Sequence, residues 1–182
     1  MVAVAVIVSL GLVAGCGSST DPSTRAAAPT TLPADAPTQA LAGFQRIIVR
    51  VVAADGSVVQ HCMLLADREV LRRQGLMGIT DPGLDGNDGM LFVFDEDGTN
   101  GFWMKDTLLP LSIAFADAQG TITETSDMDP CPPETQDCPV YRPADPYRMA
   151  VEVAQGRLEA LGLEPGARIE RSDGSACELG PD

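Results

Sequence analysis

The sequence predicts an α+β domain, compact and mostly antiparallel in its β structure, curled into a rolled sheet or small barrel with two short helices. Three observations predict it. Short β-branched or alternating runs recur along residues 41–182, turn signals rich in glycine, aspartate and proline separate them, and only two stretches carry helix punctuation.

Element by element, "FQRIIVRVVAADGSVVQHCMLLA" reads as two β-branched runs around Asp55-Gly56. That dipeptide supplies the positive φ angles of a tight hairpin. "DREVLRRQG" follows as a short helix, with Asp67 as its N-cap candidate, arginines near its end and Gly75 as its stop. "LMGITDPGLDGNDG" is loop, "MLFVF" a short strand of buried type, "DEDGTNG" a second loop and "FWMK" another strand. "LSIAFADAQGTITETS" reads as a second hairpin, turning at Ala118, Gln119 and Gly120. "YRMAVEVA" alternates Met149, Val151 and Val153 against Arg148, Ala150 and Glu152, the pattern of a half-exposed strand. "QGRLEALGLEPGARIE" supplies the second short helix, stopped by Gly162, then a Pro-Gly turn and a last strand.

Ahead of this domain, residues 1–15 are uncharged and almost wholly apolar. The run suits the hydrophobic region of a signal peptide and falls short of the ~20 residues that span a bilayer. It ends in "LVAGC", which resembles the lipobox of bacterial lipoproteins, although no lysine or arginine precedes the apolar run. The resemblance implies a diacylglyceryl thioether on Cys16 and a protein anchored by lipid in the bacterial cell envelope, on the outer face of the cytoplasmic membrane or facing the periplasm. Residues 16–40 are dominated by Ser, Thr, Ala and Pro and lack the clustered apolar groups that offset the entropy of folding. They read as a disordered tether, reaching roughly 75 Å if extended and about 27 Å as a coil.

The formal net charge is -14, with eleven arginines and one lysine among 26 acids. Nucleic-acid binding needs a basic footprint that this composition does not supply. With Cys16 assigned to lipid, four cysteines remain, an even number suited to an oxidising compartment. Of the pairings open to them, prolines in "PCPPETQDCP" favour Cys131 with Cys138, leaving Cys62 with Cys177. No C-x-x-C is present and His61 is the sole histidine, so neither a zinc centre nor a redox dithiol fits. No cofactor or metal is expected.

Three linked motifs then carry a family resemblance: Gly75-Leu76-Met77, Gly89-Met90-Leu91-Phe92-Val93-Phe94, and Phe102-Trp103-Met104-Lys105-Asp106-Thr107 followed by Pro110-Leu111. Val151-Glu152-Val153 before Gly156 completes the set. From about residue 44 to 170 the chain resembles the bacterial and archaeal family known as domain of unknown function 192, and the cysteine loop resembles its exported branch. The resemblance implies a compact, β-rich α+β fold and no established activity. Asp106 stands where the family usually has asparagine, Ser112 at a frequent aspartate and Ile79 at a frequent arginine, which alters the polarity of any site those positions form.

The candidate site lies in "GFWMKDTLLPL". Phe92, Phe94, Phe102 and Trp103 are half of the aromatic residues of the chain, and Trp103 and Lys105 are its only tryptophan and lysine. On a strand, Trp103 and Lys105 share one face while Phe102 and Met104 share the other. An indole and an ammonium beside Asp106 and Thr107 make a floor for a small polar or anionic ligand, or an interface hot spot. The structural alternative pairs Lys105 with Asp106 or Glu152 and has Trp103 seal one end of the fold. Met77, Met90 and Met104 read as core rather than as thioether ligands of a soft metal. A nucleophile, base and orienter built on Ser112 and His61 lacks a Gly-x-Ser-x-Gly elbow. A carboxylate pair of Asp85 or Asp106 with Glu152 is one of many that the acids offer.

The functional expectation is therefore a non-catalytic, lipid-anchored binding module for a small polar ligand, an envelope glycan or a protein partner, acting through Trp103, Lys105, Asp106 and Thr107. The alternatives are an envelope hydrolase using carboxylates near Asp106 and a structural or assembly lipoprotein with no ligand site.

Overall fold

The structure, a computed structural model, describes residues 40–172 and residue 177. The signal segment, nearly all of the tether and Cys16 lie outside the described residues. Among those described, no helix is long and apolar enough to cross a membrane.

Among the described residues, nine strands form in chain order: β1 Gln45–Val52, β2 Val58–Ala66, β3 Gly89–Gly98, β4 Phe102–Trp103, β5 Leu111–Ala116, β6 Ile122–Met128, β7 Val140–Tyr141, β8 Tyr147–Ala154 and β9 Arg168–Arg171. Seven pair into one sheet in the order β6-β5-β8-β3-β2-β1-β9, and β4 pairs with β7 in a small second sheet. The two expected hairpins are present, β1 with β2 and β5 with β6, turning at Gly56 and Gly120 with φ of 83° at both. One pair departs from the antiparallel pattern. β2 and β3 run parallel, joined by the crossover that parallel neighbours require, here α1 (Glu69–Gln74) and the loop after it.

The sheet rolls but does not close. Its edge strands, β6 and β9, approach at one corner, where Thr121 bridges Arg168, and Ile122 N–H donates to the Ala167 carbonyl at 2.8 Å. The small-barrel alternative is thereby corrected to a rolled open sheet, because pairing at that corner does not extend along both edges.

The helix content is also lower than expected. α1 begins after Arg68, which makes no side-chain cap, so Asp67 is not its cap. The second helix shrinks to a 3-10 turn, Glu159–Leu161. Gly156 and Gly162 bracket too few residues there to repay helix nucleation. Conversely, β3 runs through "DEDG", predicted as loop. Beyond an irregularity after Val93 it regains β8 at Gly98 opposite Tyr147, and Asp97 pairs with Arg148 at 2.8 Å.

Alternation along the strands sorts apolar side chains into two cores. Val49, Met63, Leu91, Ala114, Val151 and Val153 face one. Leu64, Met90, Phe92, Ile113, Phe115 and Ala150 face the other, where Leu76, Ile79, Leu84 and Met104 cover them. The strand β8 is therefore buried on both faces rather than half-exposed, a consequence of its central place between β3 and β5. Two disulfides complete the domain: Cys131 with Cys138, and Cys62 on β2 with Cys177, 115 residues apart.

Candidate functional site

Glu152 lies mid-sheet on β8, opposite Met90 of β3 and Ile113 of β5. Both neighbours point into the second core, so the pleat turns the Glu152 side chain the same way. A carboxyl in such a place ordinarily needs a partner. Glu152 is 5% exposed, yet no described residue gives its carboxyl a hydrogen bond or ion pair. Every described polar side-chain atom that is fully sealed from solvent has a partner. The Glu152 oxygens therefore reach open space.

That space is a cleft of about 350 Å³ between the sheet, α1 and the segments that cover this face. A small ligand fits such a volume. Its aromatic wall is Phe92, Phe94, Phe102, Trp103 and Tyr147. The rings pack edge to face, Phe92 against Phe102 at 5.0 Å and Phe94 against Tyr147 at 5.3 Å between centroids, the arrangement their quadrupoles favour. The Tyr147 hydroxyl donates to the Asn100 carbonyl at 2.8 Å, and burial raises its pKa to about 12. Desolvation likewise pushes Glu152 up to about 8. At neutral pH Glu152 is thus mostly a neutral acid, able to donate one hydrogen bond and accept others.

The α1 side of the cleft is charged, but its charges are engaged. Arg73 pairs with Glu69 one turn earlier. Arg72 donates to the carbonyls of Asp67 and Val93 at 2.6 and 2.8 Å, and its guanidinium carbon lies 5.2 Å from the Phe94 ring centroid.

Of the residues singled out from sequence, Trp103 and Thr107 border this cleft and Lys105 and Asp106 do not. Trp103 stands at the lip, 54% exposed. Thr107 is buried, and its hydroxyl has no hydrogen-bond partner among the described residues. The alternation that was to place Lys105 beside Trp103 breaks off because the strand ends at Trp103. Thr107 N–H donates to the Met104 carbonyl at 3.0 Å, closing a turn in which Asp106 adopts a φ of 57°. Lys105 is carried outward, where its Nζ lies 3.2 Å from Asp106 Oδ1 and 3.3 Å from the Pro133 carbonyl. Glu152 is not its partner.

The same turn anchors the cover of the cleft. Gly78 N–H donates to the Asp106 carbonyl at 2.9 Å, and Cys131 N–H to the Thr107 carbonyl at 2.8 Å. Two glycines, Gly89 of the second motif and Gly101 just before the third, permit close backbone approach on either side. A Cβ on Gly89 would lie 2.4 Å from the Glu152 carbonyl oxygen, and one on Gly101 would lie 2.4 Å from Val140 Cγ1 and 3.0 Å from the Tyr141 carbonyl.

The other chemistries that the sequence offers do not assemble. Ser112 bonds to Asp127 across the β5–β6 pair and accepts from Gly156 N–H at 2.9 Å. His61 Nε2 lies 2.9 Å from the Leu161 carbonyl. His61 is on β2 and Ser112 on β5, three strand spacings apart, or roughly 14 Å. Asp85 and Asp106 do not border the cleft with Glu152. Met90 and Met104 are core, while Met77 borders the cleft. Glu152 is the central group that the reading of "GFWMKDTLLPL" left aside, and the signal for it was an acid flanked by valines inside a strand.

Fold and cleft together define a compact β-rich domain built on one rolled mixed sheet, with an aromatic-walled pocket over a buried acid. The sequence profile of domain of unknown function 192, described as Uncharacterized ACR, matches residues 50–171. The chain belongs to that family. Two solved structures are similar to it. A protein from Sinorhizobium meliloti 1021, put forward as a transcription regulator, is 30% identical over 70% of this chain and 95% of its own, with a TM-score of 0.57. A protein of unknown function from Novosphingobium aromaticivorans DSM 12444 is 27% identical over 84% of this chain and 99% of its own, with a TM-score of 0.58. None of the curated proteins matches.

Proposed function

We propose that this protein is a non-catalytic binding module of the cell envelope, anchored by lipid on Cys16, that takes a small ligand in the cleft above Glu152. The observation that carries this reading is the unpartnered, buried Glu152 carboxyl facing a cleft of about 350 Å³. Leaving a polar group buried and unpaired costs about 1–3 kcal/mol, which a ligand that satisfies it recovers. Two disulfides suit an oxidising compartment, and the acidic composition suits a ligand other than nucleic acid. Relative to the site expected from sequence, the binding surface keeps Trp103 and Thr107, adds Glu152 and leaves Lys105 and Asp106 outside. A hydrolytic reading would ask for a second available carboxylate at the cleft, and Glu69 is held by Arg73.

All indole emission comes from Trp103, which borders the cleft. Titrating amines, amino acids, carboxylates and glycan fragments while following that emission tests the proposal directly. Saturable change with one class, lost in Glu152→Gln, is the expected outcome. Emission that no class alters, together with unchanged melting temperature in every titration, would remove the binding role.

A further inference from the structure

The geometry points to a small organic cation, a substituted ammonium, as the class of ligand this cleft accepts. The inference rests on the binding role proposed above and is carried by what the walls and floor offer together. The floor presents one carboxyl with no partner. The walls include five aromatic residues, Phe92, Phe94, Phe102, Trp103 and Tyr147, and an aromatic ring that turns its face to a cation where water is excluded attracts it. An ammonium is attracted by both features once it draws the carboxyl into its ionised form. The cleft already makes one such contact at its mouth, where Arg72 lies over Phe94.

The titratable groups that border the cleft are Glu69, Arg72 and Arg73 from α1, and Tyr147 and Glu152 from β8. Arg73 is neutralised by Glu69, Arg72 is committed to two carbonyls, and the Tyr147 hydroxyl is bonded to Asn100. Among the described residues that border the cleft, no acid other than Glu152 is left to receive a guest's positive charge. An anionic guest would meet only Arg72, whose donors are already in use at the lip, and would require Glu152 to stay protonated. A quaternary ammonium instead draws Glu152 into its ionised form, and one proton leaves to solvent on binding. Thr107 offers its unpartnered hydroxyl to any polar tail the cation carries.

This sets opposite pH signs for the two ligand classes. Because burial holds Glu152 near 8, choline affinity should rise with pH by up to about tenfold per unit below that value and then level off. A carboxylate guest, which needs Glu152 protonated, should hold its affinity up to about pH 8 and weaken above it. The experiment follows Trp103 emission and calorimetry with three probes of one shape: choline, its uncharged carbon isostere, and the tert-butylacetate anion.

The expected result is that choline binds, that the uncharged isostere binds at least about tenfold more weakly, and that affinity for choline rises with pH. In Glu152→Gln, choline affinity should fall at least about tenfold and lose its pH dependence. Should the variant fail to fold, the pH profile and the isostere comparison on the unaltered protein decide the matter alone. Preference for the anion or the uncharged isostere, or affinity that falls with rising pH, overturns the cation assignment while leaving a ligand-binding cleft in place. Failure of all three probes overturns the cation assignment, and failure of every other ligand class as well removes the binding role itself.

Discussion

Glu152 makes stability depend on pH in a direction that can be worked out. Its carboxyl is held near 8 in the folded chain against an ordinary value of 4.5, so between those values the unfolded chain gives up a proton that the folded chain retains. Folding stability contributed by this group is therefore complete below about pH 4.5 and is lost as pH rises through about 8. Glu152→Gln removes that dependence. Relative to the unaltered protein, the variant should gain roughly 3 to 5 kcal/mol between pH 4.5 and 8, read as diverging denaturant midpoints. Lys105→Met should do little by comparison. The pair with Asp106 is partly exposed on both sides, 28% and 43%, and such surface pairs contribute about 0–1 kcal/mol. Urea unfolding should register a shift within that range, and Trp103 titrations should be unaltered. Asp106 also shows why aspartate can stand at the family's asparagine. Its φ of 57° belongs to the left-handed region that Asn and Asp tolerate better than other side chains, so the exchange preserves the turn and changes only the outer charge.

At the level of elements, the cleft depends on how closely β3 approaches β8. Alanine at Gly89 would meet the Glu152 carbonyl oxygen at 2.4 Å and Val153 Cγ1 at 2.8 Å. The first of these is backbone and cannot swing aside. Gly89→Ala should thus cost about 3 kcal/mol or more, measurable by thermal unfolding, with ligand response reduced because the same carbonyl belongs to Glu152. Removing the Cys131–Cys138 bridge, which closes a short loop against the Thr107 turn, should cost about 2.5 kcal/mol. Unfolding of a Cys131→Ala, Cys138→Ala double variant measures it. Elements set by local chemistry were legible in the sequence. Asp55-Gly56 announced one hairpin, Gly120 sits in the turn of the other, and prolines around Cys131 and Cys138 pointed to their pairing. What depends on distant partners was not legible. The parallel β2–β3 pair, the passage of β3 through three acids and the two-residue β7 all follow from neighbours far away in the chain. For the same reason the alternation of β8 suggests an exposed face that the sheet does not give it. Period two identifies which side chains share a face, but only the sheet order reveals that a second layer covers Glu152.

Across the whole molecule, the proposed anchor and tether would hold the domain close to a membrane surface. Cys16→Ala should release the exported protein from the membrane fraction into the soluble one, as seen by fractionation and blotting. Retention with the membrane would rule out the thioether anchor. Such tethering would concentrate copies of one chain in two dimensions, where unpaired strand edges invite aggregation and domain swapping. The corner at which β6 and β9 meet gives the rolled sheet a defence against both. Backbone groups of Gly120, Ile122, Ala167 and Ile169 bond to one another across it rather than standing open. Along the remaining edges, Glu124 and Asp127 mark β6, while Arg168, Glu170 and Arg171 mark β9. Among the described residues, a neighbouring copy would thus find no long, uncharged template on which to add a strand.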